Sequence, residues 1–170
     1  LANSCLASPI VKPSTIALTA IASTSGVNLQ VQGHISGVAM ALALWDHYAL
    51  VGFSFELAVL DLSDRANPQW VTALPLPAND IALAGRYAYV VGRDGLAVVD
   101  IADPTQPVLV GAVALPETAS AIALTADYAF AISNGALYVI AIADPLHPAM
   151  VAITRLAVQI TGVEAVAHTL

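Results

Sequence analysis

The sequence repeats itself, and this limits the possible folds more than any single motif does. Tyr48, Tyr87 and Tyr128 are spaced by 39 and 41 residues. Leu57, Leu96 and Leu137 keep the same two intervals, as do Pro68, Pro107 and Pro148. Three landmarks in one register mark three units, and the two extra residues of the second interval fall between Pro116 and Ile122. A unit of about 40 residues cannot bury its own apolar faces, so it must stack on its neighbours.

The middle unit shows what is repeated. Tyr87-Ala88-Tyr89-Val90-Val91 is rich in aromatic and β-branched residues, which suit a pleated, packed surface. Gly92-Arg93-Asp94-Gly95 follows, and Asp-Gly signals a hairpin because glycine supplies the positive φ of a tight turn. Leu96-Ala97-Val98-Val99-Asp100-Ile101 is almost wholly apolar. A strand with one wet face alternates, so this one is expected to be covered on both faces. Asp103-Pro104-Thr105-Gln106-Pro107 breaks the chain, because proline lacks a donor and biases the preceding residue away from helix. Val108 to Leu115 is another apolar run, closed by Pro116. The first unit has the same parts in Leu42 to Val51, Leu57 to Leu62 and Asn67 to Val71. The third has them in Ile122 to Phe130, Leu137 to Ile142 and Asp144 to Pro148.

A period near 40 with about four short strands per unit is the signature of a β-propeller blade. The abundant alanine fits, because small side chains let neighbouring sheets approach closely. An all-β sandwich is the alternative, since evenly spaced short strands suit it too. The turn density excludes a solenoid of helix pairs.

Composition narrows the class. The chain has 170 residues, 58% of them hydrophobic and 10% charged. No acidic or basic residue occurs between Lys12 and Asp46, but polar residues interrupt that window. Its longest apolar run, Val38 to Trp45, falls far short of the roughly 20 residues a membrane-spanning helix needs. The excess apolarity is expected in strands buried on both faces. Net charge is −7, and Arg65, Arg86, Arg93 and Arg155 are scattered. No basic patch neutralises phosphates, so nucleic acid is not an expected partner.

The third-strand segments Leu57-Ala58-Val59-Leu60-Asp61, Leu96-Ala97-Val98-Val99-Asp100 and Leu137-Tyr138-Val139-Ile140-Ala141 resemble the LVIVD motif of LVIVD-repeat proteins. The flanking Tyr-Ala-Tyr-Val and Asp-Pro-x-x-Pro elements match as well. The resemblance covers roughly residues 35–167 and implies a bacterial or archaeal β-propeller, often exported or surface-associated. Two features depart from the motif: Ala141 replaces the aspartate, and Phe53-Ser54-Phe55-Glu56 stands where an Asp-Gly or Asn-Gly turn would be. A role that needs the aspartate in every blade is thereby weakened.

The expected fold class is all-β: a propeller segment of three complete four-stranded antiparallel blades plus partial blades at both ends. Residues 1–35 form an N-terminal segment. Within it, Leu6 to Ile21 echoes Ile101 to Val113 as the last strand of a preceding unit, and Val27 to Gln32 alternates like an exposed strand. Blades then occupy about 41–77, 80–116 and 121–157, and Gly162 to Ala167 starts another. Propellers close with roughly four to eight blades. Three are not expected to close as a monomer, so the partners implied are remaining blades of the same protein or copies of the chain. Without them, apolar faces and strand edges lie open.

The search for chemistry yields little. Asp61 and Asp100 read either as cation ligands or, more economically, as acceptors of backbone N–H bonds in the turns that follow. No calcium-loop pattern surrounds them. His34, His47, His147 and His168 form no zinc-ligand spacing. There is no Gly-x-Ser-x-Gly elbow, no Ser/His/Asp set and no phosphate loop, so no catalytic, cofactor or metal residues are assigned and no cofactor is expected. Trp45 and Trp70 fit blade-edge packing better than sugar stacking. A lone Cys5 allows no intrachain disulfide. Leu1 to Cys5 loosely resembles the lead into a bacterial lipoprotein cysteine, with Asn3 fitting poorly; the competing reading is an inert thiol near a frayed end.

One polar set converges by topology. In an antiparallel blade, the loops joining strands 2 and 3 share an end with the connections from strand 4 to the next blade. Those loops carry Glu56, Asn79, Asp80, Arg93, Asp94, Glu117 and Asn134 as candidate binding-mouth residues. The expected function is a non-catalytic repeat scaffold that contacts protein or glycan at the cell surface or outside the cytoplasm. The alternatives are a fragment of a propeller hydrolase or lyase with its catalytic residues in other blades, and a structural protomer that closes a ring by self-association.

Overall fold

The fold comes from a computed structural model that describes residues 38–155. The expectations for residues 1–35, including Cys5 and His34, and for residues 162–170, including His168, lie outside the described residues. The described residues form twelve strands and no helix. In the first blade these are β1 (Ala39–Trp45), β2 (Tyr48–Phe53), β3 (Leu57–Asp61) and β4 (Gln69–Leu74). The second blade has β5 (Asp80–Ala84), β6 (Tyr87–Gly92), β7 (Gly95–Asp100) and β8 (Val108–Val113). The third has β9 (Ala121–Leu124), β10 (Tyr128–Ser133), β11 (Ala136–Ala141) and β12 (Ala149–Arg155).

Each blade is a four-stranded antiparallel meander in chain order. Successive sheets approach most closely through their first strands, β1 against β5 and β5 against β9. That is the stacking of propeller blades about an axis, and no sheet among the described residues closes on itself.

The apolar runs behave as their lack of alternation implies. β6 is buried except for Tyr87, which is half-buried, and β7 is buried up to Asp100. β11 instead alternates buried and half-buried residues. One core fills the junction of the first two blades around Leu50, Leu57, Ile81, Val90, Val99 and Ile101, with Trp45 packed against it. Trp45 is therefore a strand residue on a core, whereas Trp70 on β4 is exposed. A larger core fills the next junction around Tyr89, Val91, Leu96, Val98, Tyr138 and Ile140. Alanines thin that contact: Ala119, Ala129, Ala131 and Ala136 are all buried in it. A third cluster holds Ala49, Val51, Phe53 and Ala58 on the opposite face of the first blade.

The repeat extends to details of backbone geometry. Each pairing of third with fourth strand carries one bulge, after Val59, Val98 and Val139. The register skips Val71, Val110 and Val151, which stand at the 39 and 41 residue intervals. A bulge twists an outer strand and blunts its edge against further pairing. The turns before the fourth strands also agree. Asp64, Asp103 and Asp144 each accept the N–H two residues on through Oδ1, at 3.0 Å in every case. Each also accepts through its backbone carbonyl from the residue three on. These are Asx turns. The end of each third strand is tied to the turn between strands 1 and 2 by Leu62 N–H to His47 O, Ile101 N–H to Arg86 O and Ile142 N–H to Asp127 O.

The hairpins between second and third strands differ in detail. In the second blade the turn residues are Arg93 and Asp94, and Gly95 takes its positive φ of 114° as the first residue of β7, opposite Gly92. In the third blade Gly135, at φ 83°, lies within the Asn134-Gly135 turn itself. In the first, Phe53 N–H bonds to Glu56 O at 2.8 Å and leaves Phe55 exposed at the tip.

Candidate functional site

The loops joining second and third strands share one end of the blades with the connectors between blades, and the polar candidates are distributed along that end. Arg93 projects from the β6–β7 turn, Glu117 and Thr118 from the β8–β9 connector, and Ser133 and Asn134 from the β10–β11 hairpin. With Pro116 they line a cleft of about 470 Å³, open to solvent, between the second and third blades. Glu117 accepts from Ser133 Oγ at 3.2 Å and from Arg155 Nη1 at 3.4 Å, so its carboxylate is held at the cleft wall by a hydroxyl and a cation. Beside it the Tyr138 phenol is pushed up, first by burial and then by the Glu117 charge. Arg93 is exposed, and its Nε lies 3.6 Å from the neighbouring Asp94 carboxylate.

Three of the seven sequence candidates, Arg93, Glu117 and Asn134, line this cleft together, with Asp94 beside Arg93. Asn79 and Asp80 stand at the same end but are engaged in holding blades together. Asn79 Nδ2 donates to Ala119 O at 2.8 Å, across 40 residues of sequence. Asp80 Oδ2 accepts from Ile122 N–H at 2.8 Å, and its Oδ1 accepts from Ile81 N–H at 2.9 Å. Glu56 belongs to the first blade's hairpin and does not line the cleft. Thr118, Ser133 and Arg155 were missed by sequence reasoning. Ser133 adjoins an identified turn, and the Ala136–Arg155 pairing brings Arg155 to that hairpin; this cross-strand register is what the sequence hides.

The connectors clip the blades in a regular way. Ala78 N–H donates back to Phe53 O of the first blade, and Asn79 N–H donates forward to Val91 O of the second. Ala119 and Ser120 repeat this with Gly92 O and Ile132 O. The cleft walls are thus fixed through backbone bonds of two blades at once.

The opposite end is acidic. Asp46 and Asp127 lie in its turns between strands 1 and 2, Asp61 and Asp100 at the ends of third strands, and Asp64, Asp103 and Asp144 in the turns before fourth strands. These are seven of the eleven acidic residues between 38 and 155, accompanied by Arg65 and Arg86. Asp61 and Asp100 accept from Ser63 and Ala102 N–H at 2.7 and 2.9 Å, the turn role expected of them. Asp100 additionally takes a two-pronged bond from Arg86, whose guanidinium also lies 5.3 Å from the Tyr87 ring centroid. Arg86 foremost, and the Ala102 N–H next, hold the Asp100 carboxyl below the usual carboxylate range. Asp61 is lowered first by Ser63, Asp103 by Thr105 and Asp144 by His147. In the third blade both members of the Arg86–Asp100 pair are replaced, by Asp127 and Ala141. Among the described residues no group of three His, Cys, Asp or Glu side chains is placed to hold a metal ion, and no helix is long and apolar enough to cross a membrane.

Stacked four-stranded sheets with one repeated bulge, one repeated Asx turn and one repeated connector clip define a repeat scaffold of the propeller type, present here as three blades. The chain belongs to the LVIVD repeat family, whose model matches it over residues 36–73, 77–114 and 117–155. No curated protein matches the chain.

Proposed function

We propose that this LVIVD scaffold is a non-catalytic interaction module that works outside the cytoplasm or at the cell surface and presents the cleft between its second and third blades to a protein or glycan ligand. The observation that carries this reading is the cleft itself. Donors from Arg93, Thr118 and Asn134 and the acceptor Glu117 converge on loops that the connector bonds hold rigid. Few, fixed polar groups on a rigid frame are what selective binding requires. The placement outside the cytoplasm rests on kinship with LVIVD-repeat proteins, which are often exported. Isotope-labelled protein titrated with neutral oligosaccharides, uronate-containing oligosaccharides and short peptides tests the reading. The expected result is amide shifts confined to Arg93, Glu117, Thr118 and Asn134 for one class of probe, lost in Arg93→Ala. Shifts elsewhere, or none for any probe, would overturn it.

One observation favours a second reading, in which the blades continue into others. In the second blade the face toward the first carries Ile81, Leu83, Ala88, Val90 and Val99. The equivalent positions in the first blade are Leu42, Leu44, Ala49, Val51 and Leu60, also all apolar. Ala49 and Val51 are buried, while Leu42 and Leu44 on β1 are 45% and 63% exposed. Such a first strand suits another blade, from the same protein or from a second copy. Sedimentation of the purified chain tests the second-copy form: a dimer or trimer supports it, and a folded monomer of 17.4 kDa at all concentrations contradicts it.

A further inference from the structure

The fourth strands carry an exposed feature that the cleft does not account for. Trp70, Leu109 and Met150 occupy one position in the three blades, at the 39 and 41 residue intervals. They are 46%, 52% and 39% exposed. Each precedes the bulged valine of its strand and pairs with Leu60, Val99 or Ile140 of the third strand. All three therefore stand on the same side of their blades, near the outer rim. Isolated exposed apolar residues are ordinary. A large apolar side chain left in the open at one equivalent site in every blade is a row, with one member per blade. Val151, 56% exposed at the bulge beside Met150, widens it.

The row begins where each fourth strand leaves its Asx turn, at the acidic end of the blades. An occupant must satisfy apolar side chains and a negative field together. The four aspartates held below the usual carboxylate range by their hydrogen bonds stay ionised throughout the neutral range. The field is thus built into the turns. An acidic partner or an anionic lipid surface would be repelled, and a purely polar cation would leave the apolar row wet.

We propose that Trp70, Leu109 and Met150 form a docking row for a basic, apolar-bearing polypeptide segment that runs across the rims of successive blades. This surface lies at the end opposite the cleft and stands whether or not the cleft binds a ligand.

The test uses the whole chain and three synthetic peptides of equal length: alternating Leu-Lys, alternating Leu-Glu and alternating Ser-Lys. Binding is read from amide shifts and from tryptophan emission in a Trp45→Phe background, where Trp70 is the remaining tryptophan. The expected result is binding of Leu-Lys that weakens as salt rises, with Leu-Glu and Ser-Lys each weaker by about tenfold or more. A Leu109→Ser/Met150→Ser variant, whose changes lie on exposed positions and whose fold is checked by circular dichroism, should lose about tenfold in affinity for Leu-Lys. Arg93→Ala, at the other end, should lose nothing. Equal binding of Ser-Lys, equal binding of Leu-Glu, or unchanged affinity in the double serine variant would each overturn the proposal. Adsorption to anionic phosphatidylserine vesicles in preference to the Leu-Lys peptide would overturn it as well.

Discussion

The two junctions between blades solve one packing problem by different means. Where the first blade meets the second, backbone approaches backbone. The connector Pro77-Ala78 passes between Gly52 and Gly92. A Cβ at Gly52 would lie 2.6 Å from Ala78 O, and one at Gly92 would collide with Pro77 O. The surroundings are apolar, with Leu74, Leu76 and Trp45 against the core. Where the second blade meets the third, the positions equivalent to Gly52 and Gly92 are Val91 and Ser133 and side chains take over at that end, while backbone meets backbone at Gly111, where a Cβ would collide with Pro145 O. Asn79 and Asp80 reach across to Ala119 O and Ile122 N–H, and Glu117 joins Ser133 and Arg155. Leu76-Pro77 recurs as Leu115-Pro116, and Glu117 and Thr118 are the two residues that the second connector has in addition. The polar cleft lies at the junction that side-chain hydrogen bonds cross; the other is closed by apolar fit and by the backbone bonds of Ala78 and Asn79. The repeat therefore sets the blade, while each junction is free to differ.

The largest effect should come from the core of the first junction. Leu50→Ala removes a fully buried side chain there, and unfolding by denaturant should show a loss of about 2–5 kcal/mol. Gly52→Ala tests close approach directly: the new methyl meets backbone, and the expected cost is about 1–3 kcal/mol. The equivalent position in the second blade already carries Val91, so Val91→Ala should behave as an ordinary cavity substitution with no strain to relieve. If Gly52→Ala is neutral, the two junctions are more alike than their geometry implies.

Asp80→Ala comes next. It leaves the part-buried Ile122 N–H without its acceptor, at a cost of about 1–3 kcal/mol, while Asp80→Asn keeps an acceptor and should lose less. Neither change should alter amide exchange at Ala78, which donates to Phe53 O. The smallest effect is on pH. Asp61, Asp100, Asp103 and Asp144 have folded pKa values depressed below the unfolded value of about 3.9. Their contribution is complete above that value and disappears as pH falls through the folded pKa. Stability measured against pH should therefore decline in acid below about pH 4, and Asp100→Asn should flatten part of that decline. The third blade carries Ala141 in place of this aspartate, so acid should loosen the third-strand ends of the first two blades before its own.

Much of the fold was legible because it depends on local chemistry written three times. Proline and Asp-Pro placed the turns, unbroken apolar runs marked the doubly covered strands, and equal intervals fixed the blade. The convergence of loops at one end also followed from meander topology. The pairing that needs register was not legible. Nothing in Arg86 and Asp100, 14 residues apart, announces an ion pair until the Tyr87–Asp100 pairing brings them together. Asp64 escaped notice although it repeats Asp103 and Asp144, because Arg65 replaces the proline after it. The bulged valines carry no signature either: an extra residue in a strand is defined by its partner. For the site, Asn79 and Asp80 were found by topology alone, and only their distances separate residues that clasp blades from those that line the cleft.

Residue-resolved amide exchange under native conditions, comparing the wild-type chain with Asp80→Ala, tests the central claim most directly. The account predicts protection of Ala78, Asn79, Ala119, Ser120 and Ile122 in the wild type. In the variant, protection should fall at Ile122 and Ala119 and persist at Ala78. Loss of protection at both connectors to the same extent, or an Ile122 amide already unprotected in the wild type, would contradict two junctions held by different means.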